Sequence, residues 1–130
     1  ASTVDMCDVM VTDLKKRFPN VIVGRYVAED KLEDIYGYDV IVTTPGSGGT
    51  GIDIPDLAKA LATCAVSSSK LNVQMLGRLR ELKNYPGEEP EYQYLVCYDI
   101  PKQVEYHKQK LELFKGKVKN HREQNTGVLV

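Results

Sequence analysis

The chain has 130 residues, 42% of them hydrophobic and 27% charged, the length of one ordinary domain with one core and too short for a second independent one. Its formal charge of −1 argues against wholesale coating of nucleic acid, and no apolar run approaches the ~18 residues a membrane span needs, so no membrane partner is expected. Cys7, Cys64 and Cys97 are odd in number, far apart and without a CxxC pair or a grouped histidine, which points to reduced buried thiols; with no secretion signal pattern, the cytoplasm is the expected compartment.

In chain order, Val4, Cys7, Val11, Leu14 and Phe18 recur at mostly helical intervals with Asp5, Asp8, Lys15 and Lys16 between them, an amphipathic helix that Pro19-Asn20 stops. Val21-Ile22-Val23 and Asp39-Val40-Ile41-Val42-Thr43 are short β-branched runs suited to buried strands, and residues 28–36 between them suit a short helix. Residues 61–66 read as a third strand, 70–82 as a helix, 92–98 as a fourth strand and 101 to about 118 as a long helix. Residues 82–91, with Pro86-Gly87 and Pro90, form a turn-rich connection. Alternating strands and helices predict an α/β fold with an open parallel sheet covered on both faces, because parallel neighbours need crossover connections. Such a domain normally begins with a strand, yet Ala1-Ser2-Thr3 leads straight into a helix, so a first strand upstream of Ala1 is expected to be missing.

From residue 101 onward Lys102, Lys108, Lys110, Lys115, Lys117, Lys119 and Arg122 outnumber Glu105, Glu112 and Glu123, a stretch open to two readings, a phosphate-facing surface or a solvated helix face. His107 and His121 lie apart with no partner at ligand spacing and read as surface or packing residues. Tyr92, Tyr94 and Tyr98 share one strand face by period two, which favours packing against a helix over stacking on bases.

The most informative stretch is Thr43-Thr44-Pro45-Gly46-Ser47-Gly48-Gly49-Thr50-Gly51-Ile52-Asp53-Ile54-Pro55, directly after the second strand. A loop there leaves the carboxyl edge of the sheet, where open α/β folds bind ligands. Its glycines let backbone N–H groups approach an anion, Thr43, Thr44, Ser47 and Thr50 add hydroxyls, and Asp53 offers an acceptor for a ribose hydroxyl. Gly46, Gly48 and Gly51 also satisfy GxGxxG, but the next strand ends in Ser67-Ser68-Ser69 without a ribose-binding carboxylate, and Pro55 sets the following helix late for a dinucleotide fold. No Gly-Lys-Ser/Thr follows the glycines, so the chain has no β/γ-phosphate lysine of its own. A plain flexible turn has no need of so long a mixture of glycines and hydroxyls.

Gln74-Met75-Leu76-Gly77-Arg78-Leu79-Arg80 then lies in a run of good helix formers, with Val73, Leu76 and Leu79 expected to face the core and Gln74 and Arg78 to share an exposed face. Alone this is a solvated charged helix. Taken with the loop, the order T…GxDxP, strand, QxxGR resembles motifs V and VI of the second RecA-like domain of superfamily 2 helicases. Residues 43–83, including Ser67-Ser68-Ser69-Lys70 before the glutamine, look most like phage UvsW-type recombination helicases and their XPB-like relatives.

The resemblance implies one RecA-like domain over residues 1–130, with the tail of motif IV at 1–3, motif V at 43–55 and motif VI at 74–80. It places Ser2, Thr3, Thr44, Gly49 and Thr50 at a nucleic-acid backbone, with Gly51 beside it, and Gly51, Asp53, Gln74 and Arg78 at ATP. Gln74, Arg78 and Arg80 would form the catalytic group, Arg78 as the arginine finger or its neighbour, because a planar permanent cation stabilises charge on a transferring phosphoryl group. The family usually reads QxxGRxxR or QxxGRxGR; here Glu81 holds the final position and Arg80 comes one residue early, about 100° round a helix. ATP with Mg²⁺ would be held mainly by an upstream RecA-like domain carrying Walker A and Walker B, and the chain alone would be inactive. DNA is the implied substrate, with RNA the open alternative. The rival from another class is a stand-alone nucleotide- or phosphate-binding module built on the glycine loop.

Overall fold

The computed structural model describes residues 1–27, 30–48, 54, 56–64, 68–79, 84 and 87–126. Its first helix, α1, spans Val4–Arg17. Thr3, in extended backbone, starts it by accepting a hydrogen bond from the Met6 N–H through Oγ1 at 3.1 Å, which satisfies one of the free donors of the first turn. Asp5 in that turn and Lys15, Lys16 and Arg17 in the last complement the helix dipole. Cys7 is fully buried, with Met10, Val11 and Leu14 packed around it against Val23, Val27 and Val42, and burial pushes its thiol pKa up. Val4 and Phe18, expected inward, are exposed. A helix of this length runs about 21 Å and the strands beneath it only about 13 Å, so its two ends overhang.

Strand β1 (Val23–Tyr26) pairs in parallel with β2 (Val40–Thr43), Val23 opposite Val40 and Tyr26 opposite Thr43. β1 begins two residues later than the apolar run suggests. Ile22 instead brackets the start of the pair: its N–H donates to the Asp39 carboxylate at 2.9 Å, and its carbonyl accepts from the N–H groups of Asp39 and Val40. The crossover contains a 3₁₀ turn at Leu32–Gly37, not an α-helix, with Ile35 buried beneath it. Arg25 joins three segments: its guanidinium donates twice to the Asp30 carboxylate, at 3.0 and 2.9 Å, and once to Asp8 of α1 at 3.0 Å. Its hydrogen bonds hold the Asp30 pKa below the usual carboxylate range.

The second half repeats the plan. Strand β3 (Lys59–Ala62) pairs in parallel with β4 (Glu91–Tyr94), Lys59 opposite Glu91 and Ala62 opposite Tyr94. Between β2 and β3 the chain makes a single helical turn, α2 (Pro45–Gly48), and between β3 and β4 it makes α3 (Ser69–Leu76), which Ser68 caps by accepting from the Leu71 N–H. Helix α4 (Pro101–Phe114) opens with proline in its first turn, where the missing N–H costs nothing. It buries Phe114 edge-on against Tyr92, centroids 5.8 Å apart, and sets His107 against Tyr94, which is the helix packing expected of those tyrosines. Tyr98 lies beyond β4 and is exposed.

Parallel pairing and α/β layering hold as expected, but the described residues form two two-stranded sheets, β1–β2 and β3–β4, not one open sheet. No helix among the described residues is long and apolar enough to cross a membrane.

Gly24 of β1 shows how closely the first pair is packed: a Cβ there would lie 2.2 Å from the Tyr38 ring. Gly24→Ala should therefore destabilise the chain by about 1–3 kcal/mol in urea unfolding through overpacking. Adding Tyr38→Ala should recover part of the alanine penalty, and a strictly additive double mutant would show that the ring is not the obstacle.

Candidate functional site

The carboxyl end of β2 is where the glycine-rich stretch begins. Thr43 donates through its hydroxyl to the Tyr26 carbonyl at 2.6 Å, tying the ends of β1 and β2 together, while its own carbonyl accepts from the Ala1 ammonium at 2.9 Å. Thr44 Oγ1 accepts from the Ser47 N–H at 3.3 Å, so the first residues of the stretch are wound into α2 and not left as an open loop. Gly49, Thr50, Gly51 and Asp53 lie outside the described residues, as does Arg80. Ser2 is exposed at the entrance to α1. Thr3 spends its oxygen on the helix cap and keeps its hydroxyl proton for an acceptor such as a phosphate oxygen.

The QxxGR segment is arranged differently from the sequence expectation. Helix α3 ends at Leu76, the Gly77 N–H closes it on the Val73 carbonyl at 2.9 Å, and Arg78 stands in the turn beyond. Gln74 and Arg78 are both half-buried, so they do not share an exposed helical face. Asn72 is buried and Val73 is exposed, which moves the inward side of the helix one residue back. The reason is that α3 packs against α2 and α4, two neighbours whose positions a single-helix periodicity does not contain. Gln74 Oε1 is buried without a hydrogen-bond partner among the described residues, a carbonyl that a ligand or a facing domain could satisfy.

Between the two strand pairs lies a cavity of about 480 Å³, in the size range of small-molecule sites. Ile41, Thr43 and Thr44 line it from the β2 side, Leu61 from β3, and Arg78 and Tyr92 from the second half of the chain. Of the site residues expected from sequence, Thr44 and Arg78 both line the cavity; Gln74, Ser2 and Thr3 do not. Tyr92 has its hydroxyl buried there, and desolvation pushes its pKa up to about 12.

In the basic carboxyl-terminal stretch Lys110 turns inward, while Lys102, Lys108, Lys115, Lys117, Lys119 and Arg122 stay exposed. Lys110 is buried with its ammonium 4.4 Å from the centre of the Tyr94 ring, and burial pulls its pKa down. Lys102 pairs with Glu105, Lys119 with Glu89, and Lys117 bonds the Leu113 carbonyl. Nor do the two histidines lack acidic company. His107 Nδ1 sits 2.8 Å from the Tyr94 hydroxyl and its Nε2 2.9 Å from Glu123, whose other neighbours are His121 and Tyr98. Hydrogen bonding, chiefly from His107, lowers the Glu123 carboxyl pKa. No spacing in the sequence announces this group, because Glu123 belongs to an irregular tail that only the fold carries back to α4.

No family model matches the chain, and no curated protein matches its sequence. Among solved structures it is similar to the C-terminal domain of the DEAD-box protein Dbp5, with a TM-score of 0.63 and 14% identity over 91% of this chain and 68% of that one. The chain therefore has an α/β, RecA-like fold.

Tyr92 and Tyr94 provide a check on the packing around the cavity. Both have pKa values of about 12 in the folded chain against an ordinary 10.0, so folding retains a proton that the unfolded chain releases. The stability they contribute is complete below pH 10 and is lost as pH rises from 10 through about 12. Phenolate absorbance should show both titrating late, and Tyr92→Phe should flatten the alkaline loss of stability; an unchanged alkaline profile would place that hydroxyl in water.

Proposed function

We propose that this chain is the second motor domain of a superfamily 2 helicase or translocase acting on DNA. The observation that carries the reading is the order of the glycine–hydroxyl stretch and QxxGR on a RecA-like fold, with Thr44 and Arg78 both lining one cavity. The finer likeness to UvsW-type and XPB-like enzymes rests on residues 43–83 and belongs to the same proposal.

In this reading the whole of residues 1–130 serves as one half of a cleft, facing an upstream RecA-like domain that carries Walker A and Walker B. When bound in that cleft, ATP with Mg²⁺ supplies the phosphoanhydride whose hydrolysis drives closure and opening. Arg78 offers a planar fork of donors to the phosphates, and its place just past Gly77 leaves it on a turn that is free of helical periodicity. The Gln74 carboxamide, whose oxygen has no hydrogen-bond partner among the described residues, completes its hydrogen bonding at the cleft. Gly51 and Asp53 approach the ribose side, and Arg80 assists from the segment beyond Arg78. Ser2, Thr3, Thr44, Gly49 and Thr50 hold the nucleic-acid backbone through hydroxyls and amides, contacts that read no sequence.

Two measurements test this. In the intact enzyme, Arg78→Ala should lower the nucleic-acid-stimulated ATPase by about 10³-fold or more while the melting temperature of the isolated domain is unchanged; ATPase within about twofold of the parent would end the assignment. Titration of MgATP into the isolated chain should show binding no tighter than about 1 mM, whereas a Kd near 1 μM would favour the stand-alone binding module.

A further inference from the structure

Residues 115–122 read Lys-Gly-Lys-Val-Lys-Asn-His-Arg, four cations and a histidine with no carboxylate among them, and the proposed site makes no use of them. Helix α4 stops at Phe114, and Gly116, at φ +79, turns the chain away from it in the left-handed backbone that glycine adopts without strain. Every residue of this segment is exposed and lies in neither helix nor strand. Its charges meet an acidic run, Glu88, Glu89 and Glu91, that leads into β4: Lys119 Nζ lies 2.9 Å from Glu89 and the Arg122 guanidinium 3.9 Å from Glu91. A solvated helix pairs its charges within its own turns, as Lys102 does with Glu105 on α4. Lys119 instead reaches back 30 residues for its partner, and Arg122 takes the next acid along.

These contacts differ in strength from the one that follows them. The four side chains of the two pairs are between 38% and 81% exposed, so water and salt screen them and their partners exchange easily. Glu123, just beyond, lies 2.9 Å from Nε2 of His107, whose side chain is only 8% exposed and whose other ring nitrogen is held by the Tyr94 hydroxyl at 2.8 Å. The basic segment is therefore anchored at both ends, by α4 and by Glu123, and its cations are held in between by exchangeable acids.

We infer that residues 115–122 are a contact surface for a nucleic-acid phosphate backbone, and that Glu89 and Glu91 occupy it as internal competitors until a strand displaces them. The partner class follows from the donors: flexible cations at positions 115, 117, 119 and 122 suit a repeating anion and read no base. Displacement is an exchange of ion pairs and needs neither ATP nor a second domain. For its partner the inference rests on the proposed motor reading, but its residues are separate from Thr44, Gln74 and Arg78, so the two can fail independently.

The test follows the anisotropy of a fluorescein-labelled single-stranded DNA of about 20 nucleotides as the chain is added, between about 50 and 200 mM salt. Lys115→Ala, Lys117→Ala, Lys119→Ala and Arg122→Ala together should weaken binding at the lower salt by about 30-fold and reduce the salt slope by about 2–3, since each single-strand phosphate contact contributes about 0.7. Affinity within about threefold of the parent overturns the inference. Glu89→Gln with Glu91→Gln removes the competitors and should tighten binding at least about threefold beyond Glu33→Gln with Asp34→Asn, which removes the same charge from the exposed 3₁₀ turn. Equal tightening by the two pairs overturns it as well. Amide shifts of the unaltered chain on adding the same DNA depend on no variant folding: shifts at residues 117–122 together with Glu89 and Glu91 support the inference, and unchanged signals there overturn it. Shifts confined to Ser2, Thr3 and Thr44 would leave the motor reading standing without this surface, whereas shifts confined to the segment would keep the surface and count against the motor reading.

Discussion

Parallel strands cannot be joined by a tight hairpin, and that constraint organises the chain. Each pair needs a crossover, so β1 and β2 are separated by the segment containing the 3₁₀ turn and Ile35, and β3 and β4 by the segment containing α3. The crossovers in turn dictate what covers the sheets. α1 lies over β1 and β2 through Cys7, and α4 lies over β4 through His107, Lys110 and Phe114. The cavity lies between the two pairs, which no ladder joins among the described residues.

Charge is used in two ways in the two halves. Around β1, Arg25 gathers the carboxylates of Asp8 and Asp30 and so connects a helix, a strand and a turn with one side chain. Over β4 the ionisable groups are set against rings: Lys110 over Tyr94, and His107 between Tyr94 and Glu123. A lysine and a histidine on the inner face of α4 are tolerated because each meets a ring face or a hydrogen-bond partner there, the usual condition for burying a polar group. Of the basic residues of that region Lys110 serves packing, while Lys102, Lys108, Lys115, Lys117, Lys119 and Arg122 stay exposed.

Residues that contact nucleic acid or nucleotide in the proposed reading come from three places: the entrance to α1, the carboxyl end of β2, and the turn after α3. Thr44 and Arg78 meet at one cavity because β2 ends and α3 terminates beside the same gap. Gly77 caps α3 in right-handed backbone, and Arg78 follows in the turn, its N–H bonded to the Met75 carbonyl at 3.3 Å. Arg80, displaced by one position from the usual pattern, lies outside the described residues.

Local chemistry determined a good part of this protein. Thr3 as a cap, Pro19 as a stop, the β-branched run ending in Thr43 and Pro101 at the start of α4 are short-range signals, and each element they announce is present. The α/β class followed from alternation alone, and the two motifs that suggest a function are contiguous stretches that sequence displays directly. What only the tertiary structure decided depends on distant segments meeting. The inward side of α3 is set by α2 and α4, so Asn72 and not Val73 is buried. Glu123 returns from the tail to His107, and residues of β2 and β3 come to line one cavity. Periodicity reports which face of an element is apolar; it carries no term for which neighbour arrives there.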